Sequence, residues 1–307
     1  TQVSNSGFET WGNVAPGVAA EPTGWYSNKS GSSVAKLGPQ ICFQDNTIKH
    51  SGNSSVRVET LSYFGTAVNG AVTTGVINAP NTTKSNGYIG TVNYSTASDI
   101  RRTAFTGRPD SIVGWYQYTS GGTGEQGKVT AILHNNDYFD PETPTTYHPD
   151  PTSDKIARAL FLSTPSTNVN TWTRFSAPFV YTSSGVPSYI MINITCSANQ
   201  LTSITGSKMW IDDISFIYNS TVSVKEVDLV KSANVYYFQK NIYVDFSSIP
   251  SEQSNFELYD ITGQLVLTKK IENSTLNSMD VSSLKSGIYM YKVTSKSQGK
   301  FGKLFID

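Results

Sequence analysis

The chain has 307 residues, enough for two domains with separate cores, and its 23 basic and 23 acidic side chains cancel. Only 15% of residues are charged, so no basic field exists to hold nucleic acid or an anionic membrane. No apolar run approaches the roughly 18 residues of a membrane-spanning helix, which excludes direct membrane insertion by that route. A polar surface built mainly from Ser, Thr, Asn and Gly, with 12% aromatic residues, reads as an exported β-protein rather than a cytosolic α/β enzyme.

The opening "TQVSNSGFE" (1–9) reads as a mature N-terminus. Strand-like stretches then follow in order: "SSVRVETLSYF" (54–64), "GAVTTGVI" (70–77), "SIVGWYQYTS" (111–120) and "GKVTAILHN" (127–135). Next come "KIARALFLS" (155–163), "TWTRFSAPFVYT" (171–182), "SYIMINITCSA" (188–198) and "KMWIDDISFIY" (208–218). Gly, Pro, Asn and Ser turns separate them at the spacing of an all-β sandwich, and no amphipathic helix is predicted. Residues 136–155 are too rich in Pro for a strand and read as a long loop. Cys42 and Cys196 sit in apolar alternating stretches and read either as one disulfide or, more plainly, as two buried thiols.

Composition shifts after Tyr218 towards more Lys and no Trp. The expected organisation is therefore a domain over 1–220, a linker over 221–227 and a smaller β-sandwich over 228–307. In the second of these, "DITG" (260–263) is a turn between strands, with Gly263 suited to positive φ.

Catalytic chemistry is hard to find. The segment 121–129 has phosphate-loop spacing, but Val129 replaces the required hydroxyl residue and a strand follows instead of a helix. No G-x-S-x-G occurs, and His134 and His148 read as surface side chains of a polar loop. Asp137, Asp140, Glu142, Asp150 and Asp154 crowd the long loop, and a solvated acidic loop is the simpler reading than a hydrolytic pair. No catalytic residue is assigned. Sugar binding needs only aromatic faces and planar hydrogen-bonding groups. The candidates are Trp25, Arg108, Trp115 and Gln117, with Tyr116, Tyr118 and Ile112 expected inside.

In "GSKMWIDDISFIYNS" (206–220) strict alternation puts Trp210, Asp212, Ile214 and Phe216 on one core-like face, so Asp212 needs a partner.

The blocks "FELYDITGQLV" (256–266), "VSSLKSGIYMYKV" (281–293) and "GKLFI" (302–306) resemble the sorting domain of type IX secretion cargo from the Bacteroidota. A Pro-Asn-Pro opening, common in that family, is replaced here by "KSANVYY" (231–237). Carried over by position, Tyr259, Asp260, Gly263, Gly287, Tyr289, Lys303 and Leu304 form the sorting signal. The resemblance implies an Ig-like fold, recognition of 228–307 by the type IX translocon and its outer-membrane shuttle barrel, and export through periplasm and outer membrane to the cell surface or medium.

Residues 5–11, 22–25, 50–60, 108–118, 170–181 and 209–218 together resemble the carbohydrate metabolism domain of Bacteroidota surface proteins and, more loosely, jelly-roll carbohydrate-binding modules. This resemblance implies an N-terminal jelly roll that contacts glycan through 1–220. It also implies one structural calcium, with Glu9 and Asp212 as carboxylate ligands and backbone oxygens near 49–53 completing the shell. The simpler role for Asp212 is acceptance of backbone N–H bonds. Other readings are a glycoside hydrolase or lyase using the 137–154 loop, and an adhesin or gliding-surface component.

Overall fold

Period-two alternation gives extended chain with one apolar and one polar face, and two such faces bury each other when sheets stack. The structure, a computed structural model, describes residues 2–143, 146–148, 151–218, 233–246, 254–271, 276–294 and 299–307. The chain divides into two compact units, Thr1–Asn219 and Ser220–Asp307. The linker expected at 221–227 lies outside the described residues.

Among the strands of the first unit, eight form the sandwich: β1 (Ser55–Glu59), β2 (Ala71–Thr73), β3 (Ser111–Thr119), β4 (Lys128–His134), β5 (Lys155–Leu162), β6 (Val169–Tyr181), β7 (Tyr189–Thr195) and β8 (Lys208–Ile217). One sheet runs β1-β8-β3-β6, and the short strand Cys42–Asp45 extends it beyond β1. The other runs β2-β7-β4-β5. This order is that of a jelly roll, two interleaved Greek keys. Strand β6 belongs to both sheets: residues 169–178 pair with β3, and 179–181 pair with β5. It turns one corner of the sandwich.

The core lies between the sheets. Ile112, Tyr116 and Tyr118 enter it from β3, Val129, Ala131 and Leu133 from β4, and Phe175 and Ala177 from β6. Trp115 and Gln117 point to the outer face, as the alternation of β3 predicts. Cys42 and Cys196 are free, buried thiols. Burial pushes both thiols upward, Cys196 to about 12, so neither supplies a thiolate near neutral pH.

Strand β8 departs from the predicted face. Met209 and Ile211 face the core before Asp212, whereas Ile214 and Phe216 face it afterwards. The register shifts here: Asp212 lies opposite Trp115 and Ser215 opposite Val113, with Asp213 at φ +48°. The extra residue is a β-bulge, which reverses the sense of alternation. Trp210 and Asp212 therefore face outwards, with Trp115 and Gln117, instead of sharing a face with Ile214 and Phe216.

The 136–155 segment is less irregular than its composition predicts. Phe139–Asp140 pairs with Tyr88–Gly90, which in turn pairs with Val76–Asn78. This small sheet brings residues 138–140 over the outer side of β4 and β7, where Tyr138 packs on Ile132 and Met191.

The second unit contains β9 (Asn234–Phe238), β10 (Asn241–Asp245), β11 (Ser254–Tyr259), β12 (Leu265–Ile271), β13 (Leu276–Asp280), β14 (Gly287–Thr294) and β15 (Gly299–Ile306). They form a β9-β10-β13 sheet and a β12-β11-β14-β15 sheet. Ile242, Val244 and Met279 from the first meet Phe256, Leu258, Tyr289 and Val293 from the second. This is the smaller Ig-like sandwich that the sequence predicts.

Candidate functional site

Asp212 is fully buried, yet it lies outside the sandwich core, beneath the turn at 50–53. Its Oδ2 accepts the backbone N–H groups of His50 (2.9 Å) and Ser51 (3.2 Å), and its Oδ1 accepts that of Asp213 (2.8 Å). Three donors satisfy a carboxylate that would otherwise be costly to bury. Asp213, turned by the bulge, takes the same turn by its side chains: His50 Nδ1 lies 2.6 Å from Oδ2, and Ser51 Oγ donates to Oδ1 at 2.9 Å.

The N-terminal segment closes on this turn as well. The Glu9 carboxylate accepts the Asn53 N–H at 2.8 Å and 3.1 Å, and Ser54 Oγ donates to the Phe8 carbonyl at 2.7 Å. Gly52, at φ +59°, permits this approach, because a Cβ there would lie 2.0 Å from Glu9 Oε1. Glu9 and Asp212 thus meet one turn, as the jelly-roll resemblance implies. Among the described residues no group of three or more His, Cys, Asp and Glu side chains is placed to hold a metal.

The four expected sugar contacts are spread over the unit and engaged internally. Trp25 is a correction: it is wholly buried, 5.0 Å from the Phe8 ring, with its indole N–H directed at the Ser4 carbonyl. It fills core volume and presents no face to a ligand. Arg108 stacks on Tyr181 at 4.1 Å and donates to the Gly185 and Ser183 carbonyls. Trp115 is covered by the His50 ring, parallel within 14° at 4.0 Å, and Trp172 meets the same imidazole edge-on. The Gln117 amide donates to the Asn170 carbonyl and accepts from the Trp172 indole, both at 3.3 Å.

A concave site lies instead on the outer face of the β2-β7-β4-β5 sheet. It is a cavity of about 370 Å³ whose lining includes Lys128, Asp140, His148, Thr195, Asn199 and Gln200. Lys128 and Thr195 face each other across β4 and β7, and residues of 85–89, 140–143 and 197–201, with His148, raise the walls. His148 is buried against Phe139, stacked within 13° at 4.8 Å, and against Tyr88 at 4.5 Å. It is not the surface side chain expected. His134 is also buried, and burial holds its imidazole down at about 4, so it is neutral at physiological pH.

The carboxylates of the long loop serve structure. Asp137 binds Arg102 and Thr91; Asp154 accepts from Asn136. Asp140 accepts from Asn193 (2.9 Å) and Thr130 (3.4 Å), and Arg158 lies 3.7 Å away. For Glu142, burial alone would raise the carboxyl. Hydrogen bonds from Lys155 and Tyr138, with the charges of Lys155 and Arg158, outweigh burial and hold it below the ordinary value. That is opposite to a general acid. Asp150 lies outside the described residues.

In the second unit, Tyr259 ends β11 and Asp260 builds the turn. Asp260 Oδ1 accepts from Thr262 N (2.8 Å), Thr262 Oγ1 (2.6 Å) and Gln264 N (3.0 Å), and Gly263 takes φ +84°. Gly287 and Tyr289 of β14 pair with Ile306 and Leu304, and Lys303 pairs with Met290. Tyr289 is buried and its hydroxyl donates to the Lys285 carbonyl at 2.9 Å. The residues that the resemblance carries over as the sorting signal shape one hairpin and the terminal strand pair.

Burial pushes the Asp212 carboxyl up to about 6; the His50 and Ser51 N–H bonds oppose this, and the Asp213 charge adds to it. The folded state thus holds this proton more tightly than the unfolded chain does. The contribution of Asp212 favours folding at acid pH and is lost as pH rises from about 4 through 6. Asp212→Asn leaves a backbone donor facing an amide N–H and should cost about 1–3 kcal/mol. In thermal or urea melts, the gap between wild type and variant should narrow between pH 4 and 7; a constant gap contradicts the shift.

Residues 238–307 match the family described as the secretion system C-terminal sorting domain. No curated protein matches the chain. Among solved structures, it is similar to a candidate glycoside hydrolase from Bacteroides thetaiotaomicron, with 17% identity and a TM-score of 0.46 over 66% of this chain and 64% of that one. The chain thus spans just under two thirds of that protein. It is also similar to a candidate sugar-binding protein from the same organism, with 9% identity and a TM-score of 0.33 over 70% and 98% of the two chains. TmCBM61, solved with β-1,4-galactotriose, gives 12% identity and a TM-score of 0.31 over 70% and 97%. Residues 238–307 are thus a type IX secretion system C-terminal sorting domain, which signals export of the chain to the cell surface or medium.

Proposed function

We propose that the exported cargo delivers a glycan-binding jelly roll, and that the cavity on the β2-β7-β4-β5 face is where the glycan sits. The carrying observation is that cavity: about 370 Å³, concave, and edged by amides, hydroxyls, one ammonium and a stacked imidazole. Such a lining suits a ring of hydroxyl groups in which each donor and acceptor needs a counterpart. Asp140 is the one carboxylate lining it among the described residues, and Asn193 and Thr130 already engage that group. Glycoside hydrolysis needs two carboxyls across the substrate, so binding is favoured over cleavage.

Two further parts belong to the proposal. The sorting domain passes to an outer-membrane shuttle barrel after the translocon. Glu9 and Asp212, with carbonyl oxygens of the 49–53 turn, hold one structural calcium; the support is that both carboxylates meet one turn. Two carboxylates with backbone oxygens are donors of the right kind for a hard cation. In Asp212 the cation would compete with N–H donors already in place.

Deletion of 228–307 should strand the protein in the periplasm of a type IX-competent host; normal surface delivery of the truncated chain contradicts the export role. Calorimetric titration of the full chain with a panel of oligosaccharides should give saturable binding. Ala198→Trp, which fills the cavity, should abolish it. No binding across the panel, or unchanged affinity in Ala198→Trp, overturns the reading of the site. Chelator should lower the melting temperature of wild type and added calcium restore it; an unmoved midpoint removes calcium from the proposal.

A further inference from the structure

The cavity carries an imbalance of charge. Lys128 is the first residue of β4, and because its neighbour Val129 is fully buried in the core, the Lys128 side chain rises on the cavity side of the sheet. Its partners across the strands are Thr195 and Leu162, neither of them charged. Among the described residues it enters no ion pair.

Among the described residues the nearby carboxylates are committed elsewhere. Asp140, on the same wall, has Asn193 and Thr130 on one oxygen and Arg158 near the other. Glu125, in the loop just before β4, is buried, and it accepts from Ser197 Oγ (2.6 Å), Ser207 Oγ (3.0 Å) and Ile204 N (2.9 Å). Among the described residues the cavity thus holds one ammonium with no carboxylate paired to it, in a concave site where walls of protein focus its field.

We infer that the cavity selects a saccharide bearing an anionic substituent, a carboxylate or a sulfate, and that Lys128 is the residue that reads it. This rests on the glycan reading of the same site. The anion meets Lys128 Nζ, while hydroxyl and amide groups of Thr195, Asn199 and Gln200 are the neighbours for the uncharged part of the ring. A charge-assisted hydrogen bond made in a partly desolvated site contributes about tenfold or more in affinity over its neutral counterpart. Lys128 is also the lysine of the Gly-rich 121–129 stretch. Standing on a strand instead of a helix N-terminus, it offers a single point charge and no phosphate cradle.

The test is calorimetric titration of the full chain with three matched oligosaccharides: one carrying uronic acid units, its carboxyl-reduced neutral form, and a sulfated form of that neutral sugar. The expected result is that at least one acidic form binds about tenfold or more tightly than the neutral one, with the advantage shrinking as salt is raised. Lys128→Gln should erase the preference, so that acidic and neutral forms bind alike, and Lys128→Arg should retain it. The two acidic arms tell which anion is read. Equal affinity for acidic and neutral sugars, or a preference that survives Lys128→Gln, overturns the role of Lys128 and leaves glycan binding standing. If none of the three binds, the glycan reading itself falls with it. Melting temperatures of both variants within a degree or so of wild type establish that the fold is intact.

Discussion

A single inserted residue in the last strand governs how the first unit is assembled. The bulge at Asp212–Asp213 sends Ile214 and Phe216 into the core while turning two carboxylates towards the opposite side. There they receive the 50–51 turn through backbone and side-chain hydrogen bonds. The N-terminal segment joins through Glu9 on Asn53 and through Ser6, whose carbonyl accepts the Ile214 N–H at 2.9 Å. Chain separated by some two hundred residues is thereby held at one point. Burying a carboxylate is tolerable only because the turn supplies the donors, so the turn and the bulge require each other.

The outer face next to this clamp is sealed by the same device. His50 belongs to the clamping turn, and its ring covers Trp115. Aromatic residues that would otherwise present open faces on β3 and β6 are thereby used to hold the turn down. The open concave surface lies across the sandwich, where the β4–β7 face is walled by loops and carries polar groups and the Lys128 ammonium. The two outer faces of one jelly roll have therefore diverged: one is a fastening, and the other is a receptacle.

Much of the fold was legible in the chain. Eight alternating stretches predicted the sandwich, the Trp115–Gln117 against Tyr116–Tyr118 orientation came from period two, and the turn at Asp260–Gly263 followed from residue chemistry. The blocks around Tyr259, Gly287 and Lys303 pointed to the sorting domain. Strict alternation failed at Asp212, because a bulge leaves no local mark beyond two adjacent acidic residues. Trp25 was misplaced since a buried tryptophan and a stacking one look alike without neighbours. His148 and the cavity were illegible for a related reason. Their environment comes from three loops brought together by pairing of Phe139–Asp140 with Tyr88–Gly90, a contact nearly fifty residues apart in the chain.

The clamp between the bulge and the 50–53 turn can be read one amide at a time. Hydrogen exchange followed by NMR on the full chain reports the His50, Ser51 and Asp213 N–H groups directly. Donation into the buried Asp212 carboxylate predicts that all three exchange as slowly as amides in the middle of β3 and β8. Exchange at the fast rate of an exposed turn would contradict it, and with it the joining of the first segment to the last strand.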